Sequence, residues 1–124
     1  MLHWNVTSIE LVLAKDNAEA ELLLERALAI SEKALGPEHP DVATSLNNLA
    51  ALYINKRQHS KVEPLYKRAL TIYEKALGEE HPNTVTALKN YAELLRRMNR
   101  HYDANNLEVR IKKIQEKKTS KRRR

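Results

Sequence analysis

The sequence of 124 residues contains no cysteine, no phenylalanine and only two glycines. Without cysteine, the chain has no disulfide framework and no thiolate metal or redox site. No apolar run reaches the roughly 20 residues that a membrane-spanning helix needs. The amino-terminal stretch MLHWNVTSIELVLAK lacks the basic lead and long apolar core of a secretory signal. We therefore expect a cytoplasmic location.

The composition favours one helical domain. Hydrophobic residues make up 42% of the chain and charged residues 31%, as in soluble folded proteins. Ala, Leu, Glu and Lys dominate, and these are strong helix formers. The net charge of +6 is uneven, because residues 1–95 carry 10 Lys and Arg against 13 Asp and Glu, whereas residues 96–124 carry 12 against 3. The basic character therefore belongs to the end of the chain.

An internal repeat organises the sequence. The phrase ALGPEHP at 34–40 returns as ALGEEHP at 76–82, 42 residues later, and the match continues through the flanking segments. Such self-similarity at a fixed period is the mark of a duplicated supersecondary unit. Extending the same frame backwards predicts a first, degenerate unit over about 2–36. The other two units are predicted at 41–78 and 83–117.

Each unit is predicted to form a pair of helices. In the second unit, Leu46, Leu49, Ala50 and Tyr53 form one apolar stripe at helical spacing. A polar turn follows at 56–59. Ser60 and Glu63 then have the spacing of a capping box, which predicts a second helix from about 60–61 with Pro64 in its first turn. In the third unit the helices are predicted near 83–98 and 102–117, so that six helices are expected in all.

The repeated phrase is predicted to join successive helical hairpins. Gly36 and Gly78 fall where a helix needs a residue with positive φ in order to end. A proline four residues later suits the first turn of the next helix. The histidine before each proline is expected to cap or pack in the loop, since no second ligand lies at metal-binding spacing. These histidines and prolines are His39, Pro40, His81 and Pro82.

The pattern resembles a known repeat family. The run Leu46-x-x-Leu49-Ala50-x-x-Tyr53, followed by Val62-x-x-x-Tyr66, is similar to the tetratricopeptide signature. The 42-residue period and the segment LERALAISEKALGPEHPDVATSLNNLAALY resemble the kinesin light chain type of this repeat. The resemblance implies an all-α, right-handed superhelical solenoid of about three repeats over residues 1–117. It also implies a non-enzymatic scaffold whose concave face, lined by the first helices, binds partner peptides with acidic residues around an aromatic one.

The concave face provides the candidate peptide-binding residues. Amide side chains can hydrogen-bond to an extended peptide backbone, and adjacent arginines can hold a carboxylate. A solvated helix face is the alternative interpretation. The candidates are Thr44, Asn47, Asn48, Ala51, Asn55, Thr86, Lys89, Asn90, Glu93, Arg96 and Arg97.

The first unit departs from this pattern. Its corresponding face carries the apolar residues Val6, Ile9, Val12 and Leu13. An exposed stripe of this kind predicts self-association through the first helix, unless a preceding repeat covers it.

The basic segment 118–124 can bind phosphate backbones or act as a nuclear address, but a frayed, solvated end is the favoured interpretation. Nucleic-acid recognition is not favoured, because no aromatic residues interleave with the lysines and arginines. No phosphate loop, HExxH motif or nucleophile elbow is present, so that no catalytic residue, metal or cofactor is predicted.

Overall fold

The computed structural model describes residues 17–123, in which five α-helices and no strand are found. The helices are α1 (Asn17–Leu35), α2 (Pro40–Asn55), α3 (His59–Leu77), α4 (Pro82–Arg97) and α5 (His101–Arg122). The predicted first helix of the first unit lies outside the described residues. The self-association candidates Val6, Ile9, Val12 and Leu13 also lie outside them.

The helices form a stack of hairpins. Each helix packs against the next one along the chain, so that α2–α3 and α4–α5 are the predicted second and third units, and α1 is the second helix of the first unit. The apolar stripe of α2 is buried as predicted, with Leu46 at 1% exposure and Tyr53 at 9%. The corresponding Leu88 and Leu95 of α4 are buried in the same core. The prediction of an all-α repeat fold is confirmed.

The loops between units have equivalent geometry. Gly36 and Gly78 have φ values of 92° and 87°, which a residue with a Cβ rarely adopts. Each following proline occupies the first turn of the next helix. Nδ1 of His39 accepts a hydrogen bond from the backbone N–H of Asp41 at 3.0 Å, and Nδ1 of His81 accepts one from Asn83 at 3.0 Å. The predicted capping role of both histidines is confirmed.

We expect replacement of His81 by Ala to lower the free energy of unfolding by about 1 kcal/mol, because a helix amino terminus loses its cap. His81→Asn should retain most of the stability, since an amide oxygen can accept the same hydrogen bond. Urea unfolding followed by circular dichroism checks both variants. Equal stability of His81→Ala and the unmodified chain would contradict a capping contribution.

The turn inside each unit begins the second helix earlier than predicted. Arg57 has a φ of 59°, and the Gln58 N–H reaches back to the Tyr53 carbonyl at 2.9 Å, closing a Schellman motif. The chain therefore re-enters a helix at His59, and no side chain caps its start. The capping-box prediction for Ser60 and Glu63 was wrong, and Pro64 lies inside α3 rather than in its first turn.

The last helix is longer than predicted. The sequence indicated an end near residue 117, whereas α5 continues to Arg122. Lys117 and Lys121 on this extension form ion pairs with Glu79 at 3.2 Å and Glu80 at 2.7 Å. Residues 118–122 are therefore helical rather than frayed, whereas residues 119–122 are exposed to solvent as expected.

Candidate functional site

A groove of about 170 Å³ lies between α2 and α4, which are the first helices of the second and third units. Both helices contribute polar side chains to it, and α3 contributes the ring of Tyr66. The groove is lined by Ala51, Ile54, Asn55, Tyr66, Asn90, Glu93, Leu94 and Arg97. It therefore combines a small apolar part with amide and charged groups, as peptide-binding and ligand-binding grooves do.

The structure brings five of the eleven predicted binding residues together in this groove. They are Ala51, Asn55, Asn90, Glu93 and Arg97. The other six do not line it. They are Thr44, Asn47, Asn48, Thr86, Lys89 and Arg96.

Thr44 is engaged within the fold, because its hydroxyl is 3.0 Å from the Tyr73 hydroxyl and donates to the Pro40 carbonyl. Thr86 and Lys89 are exposed on α4, whereas Asn47 and Asn48 are half-buried on α2. These four side chains form no hydrogen bond with another described residue. They remain accessible polar groups along the same two helices, outside the groove itself.

The two neighbouring arginines of α4 have different surroundings. The Arg96 guanidinium donates to both carboxylate oxygens of Glu108 on α5, at 2.9 and 2.5 Å, and to Asn105. Hydrogen bonding from Arg96 lowers the pKa of Glu108, so this pair stays charged. Arg97 lines the groove and is 3.0 Å from Glu93, one helical turn earlier. Of the two predicted arginines, Arg97 therefore lies in the groove, and Arg96 joins α4 to α5.

The amides of the groove have unused hydrogen-bonding capacity. Asn55 and Asn90 form no side-chain hydrogen bond with another described residue. Tyr66 is 8% exposed, and burial raises the pKa of its hydroxyl, with the negative charge of Glu93 adding to the effect. The hydroxyl therefore remains a protonated donor at neutral pH.

Sequence reasoning missed three groove residues, Ile54, Tyr66 and Leu94. Ile54 follows Ala51 by three residues, and this spacing places both on one helix face. Tyr66 was assigned to the family signature, and Leu94 belonged to no predicted set. A comparison of α2 and α4 at the 42-residue offset pairs Leu52 with Leu94, but only the packed structure shows that Leu94 reaches the groove wall.

Two polar clusters join adjacent units. Glu63 on α3 accepts a hydrogen bond from the Tyr91 hydroxyl at 2.6 Å and two from Arg100 at 2.8 Å. The equivalent residue of α1, Glu21, accepts from the Tyr53 hydroxyl at 3.2 Å and from Lys56 at 2.8 Å. Glutamates 42 residues apart thus perform the same joining role.

These contacts shift ionisation in the expected directions. The hydrogen bond from Tyr91, supported by Arg100, lowers the pKa of Glu63. Burial and the adjacent carboxylate raise the pKa of Tyr91 well above that of a free phenol. The carboxylate is therefore charged and the phenol neutral across the physiological range, which keeps the short hydrogen bond between them in place.

The basic surface of α5 is partly used by the fold. Arg110, Lys117 and Lys121 pair with carboxylates of α3 and of the loop that follows it. Exposed cations without an ion pair to a described residue are Lys112, Lys113, Arg122 and Arg123. Fewer cations are therefore available to a phosphate backbone than the sequence count suggests.

Over residues 17–123, no group of three or more histidines, aspartates and glutamates is placed to hold a metal ion. In the same range, no helix is long and apolar enough to cross a membrane.

A stack of helical hairpins that leaves a groove between first helices defines a helical-repeat protein of the scaffold class. Comparison with family models makes this assignment specific, because the tetratricopeptide repeat model matches residues 11–75 and 63–117. The chain belongs to the tetratricopeptide repeat family, whose members generally mediate protein–protein interactions and are typically non-enzymatic scaffolds.

Three solved structures similar to this chain have kinesin light chain-like repeats. A putative kinesin light chain from Podosopora anserina with nearly identical tetratricopeptide-like repeats is 29% identical, with a TM-score of 0.72 over 82% of this chain. A variant of that protein gives 29% identity and a TM-score of 0.70 over 84%. BtubC (BKLC) from P. vanneervenii is 25% identical, with a TM-score of 0.66 over 78%.

This chain covers 48%, 49% and 39% of those three structures, respectively. It therefore spans half or less of their length. Comparison with curated protein sequences finds no match. The resemblance to kinesin light chain repeats is confirmed by the structural neighbours and by the repeat model.

Proposed function

We propose that the chain is a non-enzymatic scaffold that holds an extended segment of a partner protein in the groove between α2 and α4. The observation that carries this proposal is the pair of amides, Asn55 and Asn90, which line one groove from two successive first helices and bind no other described side chain. An amide donates and accepts at once, which matches the alternating groups of an extended backbone.

The groove chemistry supports a segment with an apolar or aromatic side chain next to an acidic one. Ala51 and Ile54 provide most of the apolar contact, because Tyr66 and Leu94 line the groove but are only 8% and 1% exposed. Arg97 provides the cation and is also paired with Glu93. The exposed Lys89 adds positive charge about two helical turns before Arg97. A peptide carboxylate that displaces Glu93 would make a charge-assisted hydrogen bond to Arg97. We therefore propose acidic peptides as the preferred ligands.

Fluorescein-labelled 12-residue peptides of three designs test the proposal: acidic with one aromatic residue, acidic without an aromatic residue, and basic with one aromatic residue. We expect the first design to bind most tightly in fluorescence anisotropy. Asn90→Ala and Arg97→Ala should each weaken its binding about 3- to 10-fold, the usual effect of losing one hydrogen bond or one partly exposed charge contact.

Arg96→Ala is the matched control, since it removes the adjacent arginine that Glu108 holds outside the groove. We expect this variant to bind the peptide as the unmodified chain does. Equal losses from Arg96→Ala and Arg97→Ala would overturn the groove assignment. Preferential binding of single-stranded DNA, with affinity falling steeply as salt rises and lost on removal of residues 117–124, would instead favour nucleic-acid binding by the basic segment.

A further inference from the structure

An ion pair between second helices recurs along the stack. Arg68 on α3 contacts Glu32 on α1 at 3.0 Å, and Arg110 on α5 forms an ion pair with Glu74 on α3. Both members of the second pair lie 42 residues after those of the first. The same side-chain bond therefore fastens the second helix of each unit to that of the unit before it.

Each end of the described stack carries one half of this bond. Arg26 lies 42 residues before Arg68, and Glu116 lies 42 residues after Glu74. Both side chains are exposed, and neither forms an ion pair with a described residue. The described stack therefore has an unpaired arginine on α1 and an unpaired glutamate on α5. Both stand at the repeat positions that form ion pairs inside the stack.

The apolar contact beside this bond is also open at α1. Ile72 and Ile114 lie four residues after Arg68 and Arg110 and are 4% and 3% exposed. Ile30, in the same position after Arg26, is 45% exposed. We call Arg26 and Ile30 with the exposed Leu22 the front surface.

The corresponding rear surface consists of Lys112, Glu116 and Thr119, exposed on one face of α5. At the 42-residue offset, Lys112 and Thr119 correspond to Leu70 and Leu77. The rear surface therefore keeps a glutamate, Glu116, but has no leucine on either side of it. The stem of Lys112 and the methyl group of Thr119 still provide some apolar cover for an isoleucine. A contact made here would be weaker and more sensitive to salt than the internal ones.

The charges of the two end helices are complementary. α1 carries four glutamates against Arg26 and Lys33, whereas α5 carries seven lysines and arginines against three acidic residues. Opposite fields of this kind favour approach of the two ends and disfavour contact between two rear surfaces.

We propose that the front surface of one molecule binds the rear surface of a second copy, with Arg26 contacting Glu116 as Arg68 contacts Glu32 inside the chain. Such a contact is head-to-tail, and it produces short open chains of molecules rather than a closed symmetric dimer. Because the rear surface lacks leucines, we expect a dissociation constant of roughly 0.1–1 mM at low salt.

Charge reversal at each end tests the proposal. Sedimentation velocity of the full chain, at concentrations that bracket this range and at low salt, should show association of the unmodified protein. Arg26→Glu and Glu116→Arg should each weaken association about tenfold or more, since like charges then meet at the contact. An equimolar mixture of the two variants should associate again, because every front surface then has a rear surface of opposite charge. Arg57→Glu makes the same charge change as Arg26→Glu on an exposed residue of the turn between α2 and α3, which lies on neither surface, and it should have no effect.

Several results would overturn the head-to-tail contact. One is an unmodified chain that stays monomeric over the whole concentration range. Another is a mixture of Arg26→Glu and Glu116→Arg that associates no better than either variant alone. A third is association that Ile9→Lys and Leu13→Lys abolish while both charge reversals leave it unchanged. That outcome would favour pairing through the predicted stripe of the first helix instead.

Discussion

Replacing Glu63 with Ala is expected to lower the free energy of unfolding by about 2 kcal/mol, mainly the cost of leaving the buried Tyr91 hydroxyl without its acceptor. The carboxylate accepts from the nearly buried Tyr91 hydroxyl and from Arg100, which belong to the following unit. Its loss leaves the Tyr91 hydroxyl without an acceptor among the described residues, whereas Arg100 keeps its ion pair with Asp103 at 3.0 Å. The junction between the second and third units is thereby loosened. Urea unfolding at pH 7 measures the effect.

The pH dependence of the free energy of unfolding shows whether Glu63 stabilises the junction through its charge or only through packing. The pKa of Glu63 is lowered in the folded chain, so its charge stabilises the fold above the unfolded-state pKa of about 4.3 and this contribution is lost as pH falls through the lower folded value. The stability difference between the unmodified chain and Glu63→Gln should therefore be largest at neutral pH and shrink as the pH falls below the unfolded-state pKa of about 4.3.

Glu93→Ala is the control for this prediction, because Glu93 is exposed and, among the residues that the structure describes, forms an ion pair with Arg97 alone, on the same helix. Its expected cost is at most about 0.5 kcal/mol, as for exposed ion pairs one helical turn apart. If Glu63→Ala costs no more than Glu93→Ala, the cluster at the junction does not stabilise the fold.

Glu63 also shows where prediction from the sequence ends. The repeat, the helix stripes, the glycine termini and the histidine caps follow from local rules, because periodicity and backbone geometry decide them. The spacing of Ser60 and Glu63 fitted a local rule equally well, yet Glu63 binds residues 28 and 37 positions further along the chain. A long-range partner and the Schellman turn at Arg57 together prevailed over the local capping signal.

The candidate site could also be predicted only in part. Helical spacing identified the first-helix face that carries Asn55, Asn90 and Arg97, because it lies opposite the apolar stripe. It could not separate Arg96 from Arg97, since the two are neighbours on one helix edge and only the position of Glu108 on α5 decides which one is held. Tyr66 was missed for the opposite reason, because a signature residue of the core also reaches the groove.

The second large effect on stability is expected at Ile72, whose equivalent in the first unit, Ile30, lies in a more exposed environment. Ile72→Ala is expected to cost about 2–4 kcal/mol, because this side chain is 4% exposed and its loss leaves a cavity at the junction with the first unit. Ile30→Ala, 42 residues earlier, should cost less than about 1 kcal/mol, because nearly half of that side chain is already in water. Both substitutions replace isoleucine with alanine inside a helix, so the change in helix propensity is the same. The difference between their unfolding free energies therefore measures the effect of burial.

The comparison also tests whether the front surface is open in the isolated chain. Urea unfolding at low protein concentration gives both values, and Ile114→Ala should match Ile72→Ala, since Ile114 is 3% exposed in the last unit. Equal costs for Ile30→Ala and Ile72→Ala would mean that Ile30 is covered within the monomer. A second copy would then have no apolar surface to bind beside Arg26. A small cost at low concentration that grows as the protein is concentrated is instead the behaviour expected of a side chain that becomes buried only on association.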